Sequence, residues 1–456
     1  MYDLIVIGGG PAGYCAAERA AARGMSVALF ERKALGGTCL NEGCIPSKTL
    51  LNSAKALHYA QDSAAFGVSA ENAAADAAAI IKRKTIVVRK LVAGVAAQMK
   101  QHGVTVFNAD ATVLEKKGEA FAVQAGGEVH EGKRLLIATG SAPLIPPIPG
   151  VREGVAEGRL WTSAEALNAK EIPARLAVVG GGVIGMEMAA YFSAMGAKVT
   201  VIDMLPTVGG PIDASLSAAL LKNHPQVDFL LSCKVTGVEN NVVHYEKDGR
   251  AGRLEAEGIL LCIGRKPSLV AGLDALHVAT ERGGIITDAS GRTNVPGVFA
   301  AGDVNGRSML AHTAYREAEC AVAAMMGESQ TVDYDAIPAV IYTNPEIACV
   351  GLTLDQAKAR GYDAVSLTLP MAYAGRYLAE SDGKAEAFCT VVAEKQTTQV
   401  KPRRLLGVHM AGPYASEMIF GAAMMVSLKL PIDTLRQQVF PHPTVSEILR
   451  EALWAI

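Results

Sequence analysis

No stretch of the 456 residues offers about 18 uninterrupted apolar positions, the length that crosses a bilayer, although half of the residues are hydrophobic and mean hydropathy is +0.23. A membrane-spanning helix is therefore not expected, and the apolar excess is read as buried strands and a subunit interface. The formal net charge is only −2 and Lys and Arg never gather into a long run, which argues against a nucleic-acid surface. No basic segment precedes the strand-like Leu4-Ile5-Val6-Ile7, so no secretory leader is expected and the cytoplasm is the default compartment. Cysteines are too sparse for a disulfide scaffold: six of the eight (Cys15, Cys233, Cys262, Cys320, Cys349, Cys389) are scattered among apolar residues and read as small buried hydrophobes. Only Cys39 and Cys44 stand close together, and in a reducing compartment a disulfide is more often catalytic than structural. The length calls for two to four domains.

What is present is one device, twice. Leu4-Ile5-Val6-Ile7 leads into Gly8-x-Gly10-x-x-Gly13, a helix-like stretch to Arg23-Gly24, and a second β-run ending at Glu31. Leu176-Ala177-Val178-Val179 leads into Gly180-x-Gly182-x-x-Gly185, a helix to Met195-Gly196, and Lys198 to Ile202 ending at Asp203. The offset from first glycine to acid is 23 residues in both. A single glycine pattern is weak, but two complete βαβ units of equal spacing predict two bound dinucleotides, each with its pyrophosphate on a helix N-terminus and its ribose hydroxyls on the acid. Asp203 would repel a 2′-phosphate and Met204 to Asp213 hold no Lys or Arg to receive one, so the second site is expected to prefer NADH to NADPH.

Elsewhere, residues 71–102 read as a long Ala-rich helix stopped by Gly103. Thr105-Val106-Phe107 and Ala120 to Gln124 suggest a small sheet, and Leu135 to Gly140 a buried strand entering a glycine turn. The Pro-rich run Pro143 to Pro149 suggests a boundary. The last 120 or so residues, with helices expected over Ala415 to Leu428 and Thr444 to Leu453, suggest a separate α+β domain.

Four residues separate Cys39 from Cys44. Five steps of an ideal helix rise about 7.5 Å, beyond the roughly 7 Å that a disulfide spans, so the segment bends or the pair is not bridged. Asn41, Gly43 and Pro46 permit a bend, and a distorted disulfide is easily reduced. A zinc half-site would want tighter spacing and a second Cys/His pair nearby; none follows, and no metal is expected.

Gly36 to Lys48 resembles the signature of the flavoprotein disulfide reductases, and Ala301-Gly302-Asp303-Val304, Met309-Leu310-Ala311-His312, Tyr342-Thr343-Asn344-Pro345-Glu346 and His442-Pro443-Thr444-Val445-Ser446-Glu447 follow in that family's order. The resemblance implies an α/β fold: two Rossmann-like domains and a C-terminal α+β dimerisation domain. Residues 1–143 would bind FAD, 144–265 NAD, 266–334 complete the FAD domain and 335–456 form the interface. It implies that Gly8, Gly10, Gly13 and Glu31 bind FAD and that Gly180, Gly182, Gly185 and Asp203 bind NAD. Gly37, Thr38, Thr139, Gly140, Gly264 and Gly302 would also line cofactor, Asp303 would hold the ribityl chain, and the backbone of Met309, Leu310, Ala311 and His312 would meet the pyrimidine edge. Lys48 and Glu187 would pair beside flavin N5. Cys44 would face the flavin and Cys39 the substrate. His442 would accept a thiol proton, from the other subunit of a homodimer, with Glu447 as its orienting carboxylate; by spacing alone, Thr444-x-x-Glu447 is equally a helix capping box.

Within the family the chain resembles the dihydrolipoyl dehydrogenases most. It lacks the basic residues that receive NADPH in glutathione reductases and the C-terminal cysteine pair of mercuric reductases, and it has the redox pair that soluble transhydrogenases lack. The resemblance implies electron transfer from dihydrolipoamide, free or on a lipoyl-bearing protein of a 2-oxo acid or glycine complex, through Cys39-Cys44 and FAD to NAD⁺. Other readings are a glutathione- or mercuric-reductase-like enzyme, or a docking subunit of a multienzyme complex. Three departures from the family pattern are Phe440 where many relatives carry histidine, Glu42 between the cysteines, whose charge is expected to raise the thiol pKa values, and a short C-terminus.

Overall fold

The structure, a computed structural model, describes residues 1–116, 118–395 and 403–456. The first apolar run becomes the central strand of a five-stranded parallel sheet, in the order Val298–Ala300, Leu135–Ile137, Leu4–Ile7, Val27–Phe30, Thr105–Phe107. Leu4–Ile7 and its two neighbours are buried on both faces, which is why they read as continuous apolar runs. The strand Val298–Ala300 returns from far downstream to close the sheet. Thr105–Phe107 departs from expectation: it is the parallel edge strand here, with Val106 opposite Leu29, and takes no part in the small antiparallel sheet of Ala111–Val113, Phe121–Ala125 and Glu128–Gly132. Three residues are too few for alternation to reveal which sheet they join.

The second unit repeats the plan with Asp228–Leu230, Lys198–Ile202, Arg175–Val179, Gly258–Leu261 and Leu160–Trp161 in one parallel sheet. The long helix runs Ala77–Gln101, starting later than expected because the Asp76 side chain caps it by accepting from the Ala79 amide at 3.0 Å. Past residue 337 the chain forms a five-stranded antiparallel sheet ordered Ala339–Ile341, Glu346–Gly351, Leu405–Gly412, Phe388–Glu394, Ala364–Pro370, packed against helices Ala415–Ser427 and Glu447–Ala455. Among the described residues no helix is long and apolar enough to cross a membrane.

Candidate active site

The two glycine turns are built alike. Gly8 has φ +102° and Gly180 φ +103°; a Cβ there would sit 2.3 Å from the Ala138 carbonyl oxygen or 2.4 Å from that of Cys262. A Cβ on Gly13 or Gly185 would meet the carbonyl of the first glycine at 1.7 or 1.9 Å, so the helices can approach the strands only without side chains. A Cβ on Gly182 would face open space and one on Gly10 would meet only Gly37 Cα, at 3.8 Å, and both glycines stand at helix N-termini that have no side-chain cap. The acids are held alike too. Glu31 accepts from the Gly9 and Lys33 amides, each at 2.7 Å; Asp203 accepts from Gly181 at 2.6 Å and Leu205 at 2.8 Å. Each carboxylate keeps acceptor capacity for a ribose, and each helix end presents free amides to a pyrophosphate, so the residues fit two dinucleotides.

The cysteine segment docks on the first turn. The Gly36 amide donates to the Gly9 carbonyl at 2.8 Å, and a Cβ on Gly37 would lie 2.6 Å from Gly10 Cα. The segment does bend: helix Gly37–Glu42 stops at Gly43, whose non-helical φ −148° and ψ −110° separate it from helix Cys44–Gln61. The break lets the two free thiols hydrogen-bond each other. That bond, with the nearby Lys48 ammonium, lowers Cys44 to about 7 against the opposing effects of burial and Glu187, while the same bond and burial push Cys39 up. The two thiols are thus unequal, Cys44 the more acidic of the pair. Glu42 is half exposed and ion-paired with Lys33 at 3.3 Å, and Glu187 is a carboxylate that raises Cys44.

Lys48 Nζ donates to both oxygens of Glu187 at 2.9 Å. Glu187 is buried inside the helix Val183–Ala194. Asp303 is oriented by Ser141 Oγ, which donates to Oδ2 at 2.5 Å and itself accepts from Arg265 Nε at 2.7 Å. Gly264, at φ +114°, places Arg265 there, and Thr139 Oγ1 donates to the Ser268 carbonyl at 2.5 Å, tying Thr139-Gly140 to the same crossing. Under the turn at Gly302, buried Glu317 accepts from the Gly302 amide at 2.6 Å and from Tyr334 Oη at 2.7 Å. Leu310 caps the helix Ala311–Met325 without a side-chain bond, leaving its first amides free next to half-exposed Met309, while His312 Nε2 meets the Pro338 carbonyl at 2.7 Å.

His442 and Glu447 form their own pair, Nδ1 to Oε1 at 3.0 Å. The His442 side chain is 79% exposed. Glu447 also accepts from the Thr444 amide at 3.0 Å, half of a capping box; the other half is missing, because the helix N-cap is Ser446 and Thr444 Oγ1 turns to the Pro441 carbonyl. The carboxylate therefore orients the ring and holds the turn together. Beside this pair Val439 is 95% exposed, and Phe420, Leu428 and Trp454 are exposed on the same domain, while Phe440 packs into its core.

Sequence reasoning missed Tyr342, Tyr14, Tyr315, Ser141 and Arg265. Tyr14 and Tyr315 join hydroxyls across the fingerprint helix and the helix Ala311–Met325 and lie within charge range of Cys39. No periodicity marks such pairs, since their partners lie hundreds of residues apart; Tyr342 alone stood in a quoted motif.

Comparison with known proteins agrees with this geometry. The pyridine nucleotide-disulphide oxidoreductase family matches residues 2–318 and its dimerisation domain residues 337–453. The dihydrolipoyl dehydrogenases of Rhizobium etli and Bacillus subtilis are 35% and 36% identical, over 99% and 100% of this chain and 97% and 98% of theirs. Among solved structures, the HOCl-induced flavoprotein disulfide reductase RclA of Escherichia coli superposes with a TM-score of 0.86 at 27% identity, covering all of both chains. LpdA of Mycobacterium tuberculosis superposes with 0.89 at 26%, covering 99% of each. The chain belongs to the pyridine nucleotide-disulphide oxidoreductases, FAD- and NAD(P)-dependent flavoproteins with a dimerisation domain.

Proposed function

We propose that this oxidoreductase is a dihydrolipoyl dehydrogenase, oxidising dihydrolipoamide to lipoamide and reducing NAD⁺ to NADH with release of a proton. The observation that carries the reading is the cysteine pair flanking the Gly43 break, docked on the first dinucleotide turn, in a chain that matches dihydrolipoyl dehydrogenases over its full length. Bound FAD supplies the relay that takes an electron pair from the dithiol and passes hydride to the nicotinamide. Everything else falls to the chain. One substrate thiolate attacks Cys39 Sγ of the oxidised pair and Cys44 leaves as thiolate, its charge stabilised by the nearby Lys48 ammonium. The second substrate thiolate then attacks the mixed disulfide at the substrate sulfur, closing the lipoyl ring and releasing Cys39. His442 of one protomer takes the thiol proton for the cysteine pair of its partner, held in one tautomer by Glu447.

The same reading assigns residues 1–143 and 266–334 to the FAD unit, 144–265 to the NAD unit and 335–456 to the interface, with Asp203 selecting NAD⁺ over NADP⁺. It assigns the cofactor contacts named for Gly37, Thr38, Thr139, Gly140, Gly264, Gly302, Asp303 and Met309 to His312. Cys44→Ser tests it: the variant should keep yellow, bound FAD and lose dihydrolipoamide oxidation. Retained lipoamide turnover overturns the proposal.

A further inference from the structure

The Lys48–Glu187 pair has a third member from a different part of the chain. Tyr342 directly follows the strand Ala339–Ile341 in the dimerisation domain, and two of its groups meet the pair: its backbone amide donates to Glu187 Oε1 at 3.1 Å, and its ring lies under Lys48 Nζ at 4.4 Å from the centroid. Lys48 belongs to the helix that Cys44 begins, and Glu187 to the helix of the second glycine turn, so three separately folded segments meet at one ammonium. Tyr342 is half-buried and packs against the core cluster that includes Leu50, Leu51 and Met188. A buried carboxylate needs every donor it can collect, and an ammonium placed over an aromatic face is attracted by the ring quadrupole.

We propose that Tyr342 is a positioning residue of the redox centre: its amide fixes Glu187, its ring fixes Lys48, and together they hold the Lys48 charge beside Cys44. This gives the dimerisation domain a direct hold on the cysteine that faces away from substrate. The groups that face Cys44 are Cys39 from the preceding helix, Lys48 from its own and Glu187 from the second fingerprint helix, with Arg265, Tyr315 and Tyr342 itself within charge range. The inference uses the thiol roles proposed above, but its test reads the Cys44 sulfur and is indifferent to which disulfide is turned over.

The test uses FAD-bound dimer carrying Cys39→Ser, so that Cys44 is the single redox thiol. Its alkylation by iodoacetamide is followed against pH by mass spectrometry of the Cys44 peptide, in this background and with Tyr342→Phe or Tyr342→Leu added. Phe keeps the ring and should leave the midpoint in place. Leu should move it up by about half a unit, roughly a threefold loss of thiolate below the midpoint. Adding Lys48→Met should erase the difference between the two variants. The proposal is overturned if Tyr342→Leu leaves the midpoint unmoved, if Phe moves it as far as Leu, or if the gap survives in the Lys48→Met background. Should Lys48→Met fail to fold, the Phe and Leu comparison decides alone.

Discussion

Glu447 lies between two duties: its Oε1 is 3.0 Å from His442 Nδ1 and its Oε2 accepts from the Thr444 amide at 3.0 Å. A carboxylate so shared keeps the imidazole in the tautomer that leaves Nε2 as acceptor. His442→Gln should therefore lower dihydrolipoamide turnover by about 10²- to 10⁴-fold, the usual range for losing a general base. Glu447→Gln should cost less while leaving the helix Glu447–Ala455 folded, as checked by kcat against circular dichroism. Equal kcat in His442→Gln and the parent would remove His442 from the mechanism.

Because His442 is solvent-exposed in the single chain and the proposed mechanism takes it from the partner protomer, activity should require two chains. Mixing Cys44→Ser protomers with His442→Gln protomers should restore about a quarter to a half of parental activity, by forming one intact site per mixed dimer. No recovery, with mixed dimers verified by mass spectrometry, would place the proton acceptor elsewhere.

Cys44 is held at about 7, chiefly by its hydrogen bond with Cys39, so its alkylation in the reduced enzyme should rise as pH increases through 7 and level off above 8. Lowering the pH through 7 protonates the thiolate and slows the reaction. A midpoint at the ordinary thiol value, near 9, would contradict the asymmetric pair.

His409 supplies a stability test away from the site. It is buried in the strand Leu405–Gly412, its Nε2 sits 3.1 Å from the Leu352 carbonyl, and its Nδ1 has no partner among the described residues. Burial lowers its pKa, so the unfolded chain binds the proton first; stability is full above the ordinary value of 6.5 and falls as pH drops from there toward the lowered folded value. His409→Gln should flatten the fall of Tm between pH 6.5 and 5, measured by calorimetry. Buried His224 adds to the same slope and is the control substitution.

The parts of this fold that were legible in the sequence are those where one residue type is obligatory. Gly8 and Gly13 could be read because a Cβ at either would collide with a carbonyl, and the bend at Gly43 because an unbroken helix would hold Cys39 and Cys44 apart. The double role of Glu447 was half legible: spacing offered either the ring or the cap, and the structure uses the carboxylate for both the ring and a turn amide. Thr105–Phe107 was misplaced because three residues carry no usable period. Arg265, Ser141 and Asp303 form a chain across 124 and 162 positions, and Tyr342 reaches Glu187 across 155. Contacts of that range are set by how the domains pack, which no local pattern encodes. Glu42 has a partner that the spacing of the cysteines did not suggest: Lys33, nine residues away, at 3.3 Å.

The central claim is the substrate, and the most direct measurement is steady-state turnover of the FAD-bound enzyme with dihydrolipoamide, glutathione and reduced thioredoxin, each with NAD⁺ and with NADP⁺. The account predicts that kcat/KM for dihydrolipoamide with NAD⁺ exceeds every other combination by at least about tenfold, a margin of about 1.4 kcal/mol, with NADP⁺ disfavoured by Asp203. Comparable rates with glutathione or thioredoxin, or NADP⁺ serving as well as NAD⁺, would contradict it.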